Sequence, residues 1–492
     1  MRHTKLSPTH AAGALPVLRP VFSAIRHSGR QIIMAGAISG LLTGCGNSAK
    51  ILSDPLSIFS AGHEKSQGYV GTVVADEPIA ALAAHDVLAR GGNAADAAAA
   101  LGFALSVTLP SRASLGSGGA CLAWKPGDRA GKAYLFLPAK GSDTSTTADA
   151  DRPASVPMLA RGLFLMHLHY GSVEFSNTLR PALQLASDGV SVGSLLAADL
   201  AEVQAPLLAD KEARLIFGRP DGSVLQAGDL LRQRRLAGTI QRMRSAGPGD
   251  LYTGALARLL VDNAPASGSG LTSAALRTTV PSEAMPLTLR IDGRDISFLP
   301  PPADGGFGMA VAYRADISGH AAPDLARDAI AAWRSNPQQD AQKLLNSGTV
   351  PTSGTPLGNL PASTSFAVYD RKGGAVACAL TMDNLFGTGR IAGSSGIVLG
   401  ASPLRRPLPL LSAAIVHDGR SSFRAAVTAS GQNQAADAAA IALVPAAAGK
   451  EPKISSATPD GRVNAIVCSD GKGSRCGGWT DPRGAGYAIP AN

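Results

Sequence analysis

Three hydroxyl residues stand in a row at Ser363, Thr364 and Ser365, where a stretch of Pro, Gly, Ser and Thr gives way to an apolar alternation. A hydroxyl is a weak nucleophile at neutral pH and needs a base beside it. If the peptide bond between Ala362 and Ser363 is cut, Ser363 gains a free α-amino group with an ordinary pKa of about 8, a built-in base next to its own side-chain oxygen. The polar, proline-punctuated run 346–362 just upstream is the kind of flexible chain such a cut requires. Thr381 stands at the far end of the following apolar run, within reach of the cluster if the two runs pair. A plainer reading stays open here, because Ser and Thr are common at strand starts. Other hydrolase signals are missing: the sequence holds no GxSxG elbow, HExxH helix or GxxxxGK[ST] loop. His167 and His169 are two apart on a helical pattern and so face different ways, which argues against a metal pair. No metal or cofactor is implied.

The elements that must position these residues are legible in the periodicities. "TSFAVYD", the turn "RKGG" and "AVACALT" make a hairpin signal over 364–381. Near the start, "GYVGTVVA" alternates as a strand. Pro78 then opens a helix with apolar positions Ile79, Leu82, Ala83 and Val87, which Gly91 and Gly92 stop. Asn93 is placed to cap a second, almost wholly apolar helix, and "LGSGGACLAW" reads as a glycine-rich bend entering a strand. Residues 153–262 read as mainly helical. Arg232, Arg234, Arg235, Arg242 and Arg244 lie on one of those helical patterns as a solvated face with ion pairs, not a nucleic-acid surface, since no aromatic residues interleave them. "ISFLPPP" ends a strand, and one helix is expected from about 322 to 345. No period of 20 to 50 residues repeats along the chain.

At 492 residues, 45% hydrophobic and 16% charged, the chain has a globular composition and can bury a large core. Five of its nine excess positive charges lie in residues 1–44, which contain no acid, so the basic balance marks a leader and not a nucleic-acid partner. The uncharged run 32–42 is too short for a bilayer span of about 20 residues. Basic residues, a short apolar run and then Leu42, Thr43, Gly44 and Cys45 resemble a bacterial lipoprotein signal. The expectation is cleavage before Cys45, lipidation of Cys45, and attachment on the periplasmic side of the cell envelope. Cys468 and Cys476 flank a turn-rich loop and can pair in an oxidising compartment, whereas Cys121 and Cys378, in apolar runs, read as inert core thiols.

Several longer stretches resemble one family. "GGNAADAAAALGFALSVTLPSRASLGSGGACL" at 91–122 is similar to the N-terminal signature of the γ-glutamyltransferases. "FLPPPADGG", "SFAVYDRKGGAVACALTMDNLFGTGRIAGSSGIVL", "RRPL" and the terminal "WTDPRGAGY" follow in family order. The resemblance runs from about residue 68 to the end. It implies an α+β chain with the N-terminal-nucleophile hydrolase fold, a four-layer αββα sandwich, and a precursor that cuts itself into a large and a small subunit forming a heterodimer. It divides the chain into a signal peptide at 1–44, a tether at 45–66, a large-subunit-like region at 67–349, a linker with the cut at 350–362, and a small-subunit-like region at 363–492, with both regions in one sandwich domain.

Carried over residue by residue, the resemblance puts the nucleophile on Ser363, the cut between Ala362 and Ser363, and Thr364 next in the catalytic set. Thr381 matches the family threonine that hydrogen-bonds the nucleophile, and Asp383 takes the place of a substrate-holding Asn. Gln432 and Asn433 fall where the family has its oxyanion glycines. The chain departs from the family around substrate recognition. The stretch that normally carries a carboxylate-binding Arg is "YLFLPAK", the family's Ser pair is replaced by Pro409 and Leu410, and the acids past "GIVL" give way to "GASPLRRP". The expectation is a self-processing amidase or transferase acting on a γ-glutamyl or related amide through an acyl-enzyme on Ser363, with altered recognition. The alternative is an inactive, envelope-anchored homologue with a binding or scaffold role.

Overall fold

The computed structural model describes residues 68–140, 150–320, 322–348, 354–404, 407–454, 460–470 and 476–489. The leader, Cys45, the tether to residue 66, the start of the linker and Arg405–Arg406 lie outside these residues.

Among the described residues fifteen strands form, the longer ones on alternating or apolar sequence. They are β1 (Gly71–Ala75), β2 (Gly118–Trp124), β3 (Lys132–Phe136), β4 (Val190–Ser191), β5 (Leu230–Leu231), β6 (Ser282–Ala284), β7 (Leu287–Ile291) and β8 (Arg294–Phe298), followed by β9 (Ser363–Asp370), β10 (Ala375–Thr381), β11 (Ser412–Asp418), β12 (Ser422–Ser430), β13 (Arg462–Cys468), β14 (Cys476–Thr480) and β15 (Tyr487–Ile489). One sheet has seven strands in the order β15-β1-β9-β10-β2-β3-β6, and a second has six in the order β14-β13-β12-β11-β8-β7. Every neighbouring pair in both is antiparallel. β4 and β5 form a separate ribbon.

The two-residue period of a strand decides which core each side chain joins. Along β9, Phe366 and Val368 pack under the helices Pro78–Ala89 and Ala94–Thr108, while Ala367 and Tyr369 point into the layer between the sheets. Across that layer stand Ala413, Ile415, Ala426 and Ile466 of the second sheet. Its far face, with Val427, Ala429 and Ala465, is covered by the helices Gly305–Ile317 and Ala435–Ala447. Helix, sheet, sheet, helix is the four-layer sandwich that the family resemblance implied. Strands from both sides of the 350–362 segment interleave: β9 and β10 sit between β1 and β2, and β11 pairs with β8. The two regions therefore share one pair of sheets and cannot be separate domains.

Local signals explain how the elements start. Glu77 caps the helix Pro78–Ala89, its carboxylate accepting from the backbone N–H of Ile79 at 3.1 Å and of Ala80 at 2.7 Å. Asn93 caps the next helix in a reciprocal capping box with Asp96. That helix is alanine-rich and buried along its whole length, so it lies flat on the sheet. His167 and His169 do part: His167 meets Asp96 at 2.9 Å, and His169 meets Tyr134 and Glu283. The arginine-rich helix Arg234–Ala246 presents a solvated face, with Arg235 paired to Glu212 and Arg242 to Asp250.

Two expectations are corrected. The single helix over 322–345 is two, Leu325–Ser335 and Ala341–Ser347, because Pro337 follows the first and Asp340 caps the second. Cys121 and Cys378 are not free thiols but a disulfide. They occupy facing positions in the β2–β10 register, with Cα atoms 4.1 Å apart. Cys468 and Cys476 are likewise joined across β13 and β14.

Candidate active site

Ser363 is the first residue of β9, and Thr381, the last of β10, is its register partner. Strand parity turns both toward the second sheet, together with Ser365. The end of β12 comes to meet them. Ser363 Oγ donates to the carbonyl of Gly431 at 3.1 Å and accepts from the Gly431 N–H at 3.2 Å. Gly431 holds φ +130°, a backbone region that favours glycine. Among the described residues no carboxylate or imidazole touches the Ser363 hydroxyl, so the intact chain supplies it with no side-chain base.

Thr381 acts on the bond ahead of the serine. Its Oγ1 donates to the carbonyl of Ala362 at 2.8 Å and accepts from the N–H of Asp383 at 2.9 Å. Asp383 is fully buried behind Thr381 with φ +56°, off the cavity wall.

Thr364 points the other way. Its hydroxyl donates to Asp76 Oδ2 at 3.0 Å, and the same oxygen accepts the N–H of Ser365 at 2.9 Å. Asn464 of β13 donates to Asp76 Oδ1 at 2.8 Å and to Ser365 Oγ at 3.1 Å, and Thr428 of β12 donates to Ser365 Oγ at 3.2 Å. This buried network locks the residues after Ser363 to both sheets. Arg112 closes the site from the side. Both oxygens of Asp199 hold its guanidinium at 2.8 Å, and Nη1 donates to the Ser363 carbonyl at 3.3 Å. Burial opposes the charge of Arg112, but the bonds to Asp199 outweigh it and raise its pKa.

A cavity of about 900 Å³ opens here, with Asp76, Arg112, Ala362, Gly431, Gln432 and Asn433 among its walls. Ser363 itself is fully buried, and Ala362 faces the opening in its place. Gln432 projects into the cavity as an exposed side chain. Asn433 Oδ1 accepts the N–H of Leu360 at 3.0 Å and so holds the chain two residues before Ala362.

The structure thus brings Ser363, Ala362, Thr381 and Thr364 together and sets Gln432 and Asn433 beside them, with Asp383 one layer behind. Sequence reasoning missed Asp76, Arg112, Thr428, Gly431 and Asn464. Only Gly431 carried a local signal, as a glycine directly after an apolar strand.

The two stacked antiparallel sheets between helical layers, with a buried serine at a strand start behind the cavity wall, have the architecture of the N-terminal-nucleophile hydrolase fold. A solved cephalosporin acylase from Bacillus halodurans shares this fold, with a TM-score of 0.69 at 18% identity over 87% of this chain and 98% of its own. In sequence, residues 80–315 match the gamma-glutamyltranspeptidase family profile. The glutathione hydrolase proenzyme of Escherichia coli K12 is 28% identical over 419 residues, 74% of this chain and 72% of that protein. The glutathione hydrolase proenzyme of Bacillus subtilis 168 is 25% identical over 398 residues, 68% of each chain. These matches support membership of the γ-glutamyltranspeptidase family, as a divergent member, and an enzyme of the γ-glutamyltransferase and hydrolase type.

Proposed function

We propose that this chain is a self-processing amidase or transferase that cuts its own Ala362–Ser363 bond and then uses Ser363 on a γ-glutamyl or related amide. In the first step Ser363 Oγ attacks the Ala362 carbonyl carbon, the C–N bond breaks, and the hydroxyl proton passes to the departing nitrogen. Water then hydrolyses the resulting ester and leaves Ser363 with a free amine. In the mature enzyme that amine takes the Oγ proton as Oγ attacks the substrate carbonyl. The proton goes on to the leaving amine, and water or an acceptor amine resolves the acyl-serine. The absence of a side-chain base at Ser363 among the described residues fits a mechanism that manufactures its base by the cut.

One observation carries the reading: the Thr381 hydroxyl donates at 2.8 Å to the carbonyl of Ala362, the bond to be cut, while the Gly431 N–H meets the attacking oxygen. Charge developing on that carbonyl oxygen in a tetrahedral intermediate would be stabilised by a donor already in position. A reducing gel tests it. Wild-type protein should run as two fragments whose junction is Ala362–Ser363 by N-terminal sequencing, and Ser363→Ala as one uncut band. A wild-type chain that stays whole and turns over no γ-glutamyl anilide would remove the catalytic reading and leave the scaffold role. A lipid tether at Cys45 to the bacterial cell envelope belongs to the same proposal; wild-type protein that incorporates no radioactive fatty acid would refute that part alone.

A further inference from the structure

Four arginines line the cavity: Arg112, Arg327, Arg462 and Arg483. Two are neutralised at close range, Arg112 by both oxygens of Asp199 and Arg483 by both oxygens of Asp481. Arg327 and Arg462 pair with no carboxylate among the described residues. Arg462 donates only to main-chain carbonyls, from Nη1 to Asp460 at 2.8 Å and to Gly461 at 3.5 Å, and from Nε to Arg483 at 3.3 Å. Arg327 does the same, bonding the carbonyls of Asn433 at 3.2 Å, Gly358 at 2.9 Å and Leu357. A carbonyl dipole orients a guanidinium without cancelling its charge, so each is a half-buried cation held rigidly at the cavity wall. Asp76, Asp324 and Asp460 also stand on that wall, but none comes within ion-pair distance of Arg327 or Arg462; Asp481 acts on Arg462 only at longer range, its two oxygens being held by Arg483.

Their positions relative to the nucleophile are set by the second sheet. Arg462 is the register partner of Ser430 and shares strand parity with Asn464 and Ile466, so it points toward the sheet that carries Ser363. Ser430 leads directly into Gly431, whose peptide group holds Ser363 Oγ. Arg327 grips the other end of the same loop at Asn433. The two cations therefore bracket residues 430–433, a span of at most about 10 Å of chain.

We propose that Arg462 and Arg327 form an anion subsite that reads a carboxylate on the acyl side of the substrate. The subsite would accept acyl groups that end in a carboxylate, of which γ-glutamyl and simple dicarboxylic half-amides are examples. This rests on the proposed acyl transfer at Ser363. It assigns recognition to β13 and to the helix Leu325–Ser335, in place of the stretch 134–140, which has no arginine here.

The test compares glutaryl-4-nitroanilide with its methyl ester, which differ only in that charge. Wild type should favour the free acid in kcat/KM by about 10-fold to 100-fold, mostly through KM, as expected for hydrogen bonds to a charged group. Arg462→Gln should lose most of that preference, Arg327→Gln part of it, and Arg462→Lys should recover some. An Arg462→Gln enzyme that keeps the full preference, or a wild type that turns over both anilides equally, would overturn the subsite. The cut band on a reducing gel scores the Ser363 reading separately in the same preparations. Calorimetric titration with glutarate needs no turnover: binding by wild type that is lost in Arg462→Gln supports the subsite even in an uncut chain, and no binding by wild type rejects it.

Discussion

At the scale of single residues, three groups around Ser363 divide the work. Thr381 supplies a hydroxyl donor to the carbonyl that becomes tetrahedral in the proposed cut, so Thr381→Val should slow self-cleavage by about 100-fold to 1,000-fold, measured as the half-time of fragment appearance. Gly431 must aim its N–H at the serine from φ +130°. In Gly431→Ala that backbone relaxes toward negative φ and the donor turns away, so cutting should slow while the fold, read by circular dichroism, is retained. Asp76 is structural in a stricter sense. Its carboxylate satisfies Thr364, the Ser365 N–H and Asn464, all buried, and Asp76→Ala takes that acceptor from the Thr364 hydroxyl and the Ser365 N–H and one of three from Asn464. The expected loss is about 3 kcal/mol or more in urea denaturation. A stability unchanged within about 0.5 kcal/mol would show that the network carries no load.

At the scale of elements, the helix Ala435–Ala447 holds a charge that the fold keeps under tension. Asp437, in its first turn, accepts the N–H of Ala326 at 2.7 Å through Oδ1, while Oδ2 finds no hydrogen-bond partner among the described residues. Burial pushes its pKa up to about 6; the N–H of Ala326 pulls the other way, and the nearby charges of Asp324 and Asp328 add to the rise. A carboxyl with a raised folded pKa gives stability that is complete below the unfolded value of about 4 and disappears as pH climbs through about 6. Asp437→Asn keeps the acceptor and removes the ionisation. The variant should match wild type near pH 4 and exceed it by up to about 3 kcal/mol above pH 7, read from urea midpoints at the two pH values. An equal difference at both would mean that the titration of Asp437 does not reach stability.

At the scale of the whole molecule, the proposed cut and the disulfides interact. Cys121 lies upstream of Ala362–Ser363 and Cys378 downstream, and they are bonded across β2 and β10. Self-cleavage should therefore yield two fragments that stay covalently joined. A single species is expected on a non-reducing gel and two after reduction, and two species without reductant would show that these thiols are free in the protein. The interleaved sheets give the same result without a covalent bond, because separating the fragments would strip β9 from β1 and β10 from β2 and expose the layer between the sheets. Native mass after reduction should thus remain that of the pair.

What the sequence determined by itself is local. The hairpin of β9 and β10, the Asn93 cap, the hydroxyl cluster at a strand start and the parity that sends alternate residues to opposite cores all follow from patterns within about ten neighbouring residues. The family resemblance added the layered fold and the role proposed for Ser363. Tertiary structure decided the rest, because strand order is set by which faces bury together and leaves no mark on a single strand. Asn464 and Asp76 meet across 388 residues, and Arg112 reaches Ser363 across 251. Cys121 and Cys378 look like two buried thiols until the register sets them opposite one another, and Arg462 looks like one more surface arginine until β13 is known to lie beside β12. The serine proposed as nucleophile was readable along the chain. Its donors, its locks and the cations around its cavity exist only where two sheets close on each other.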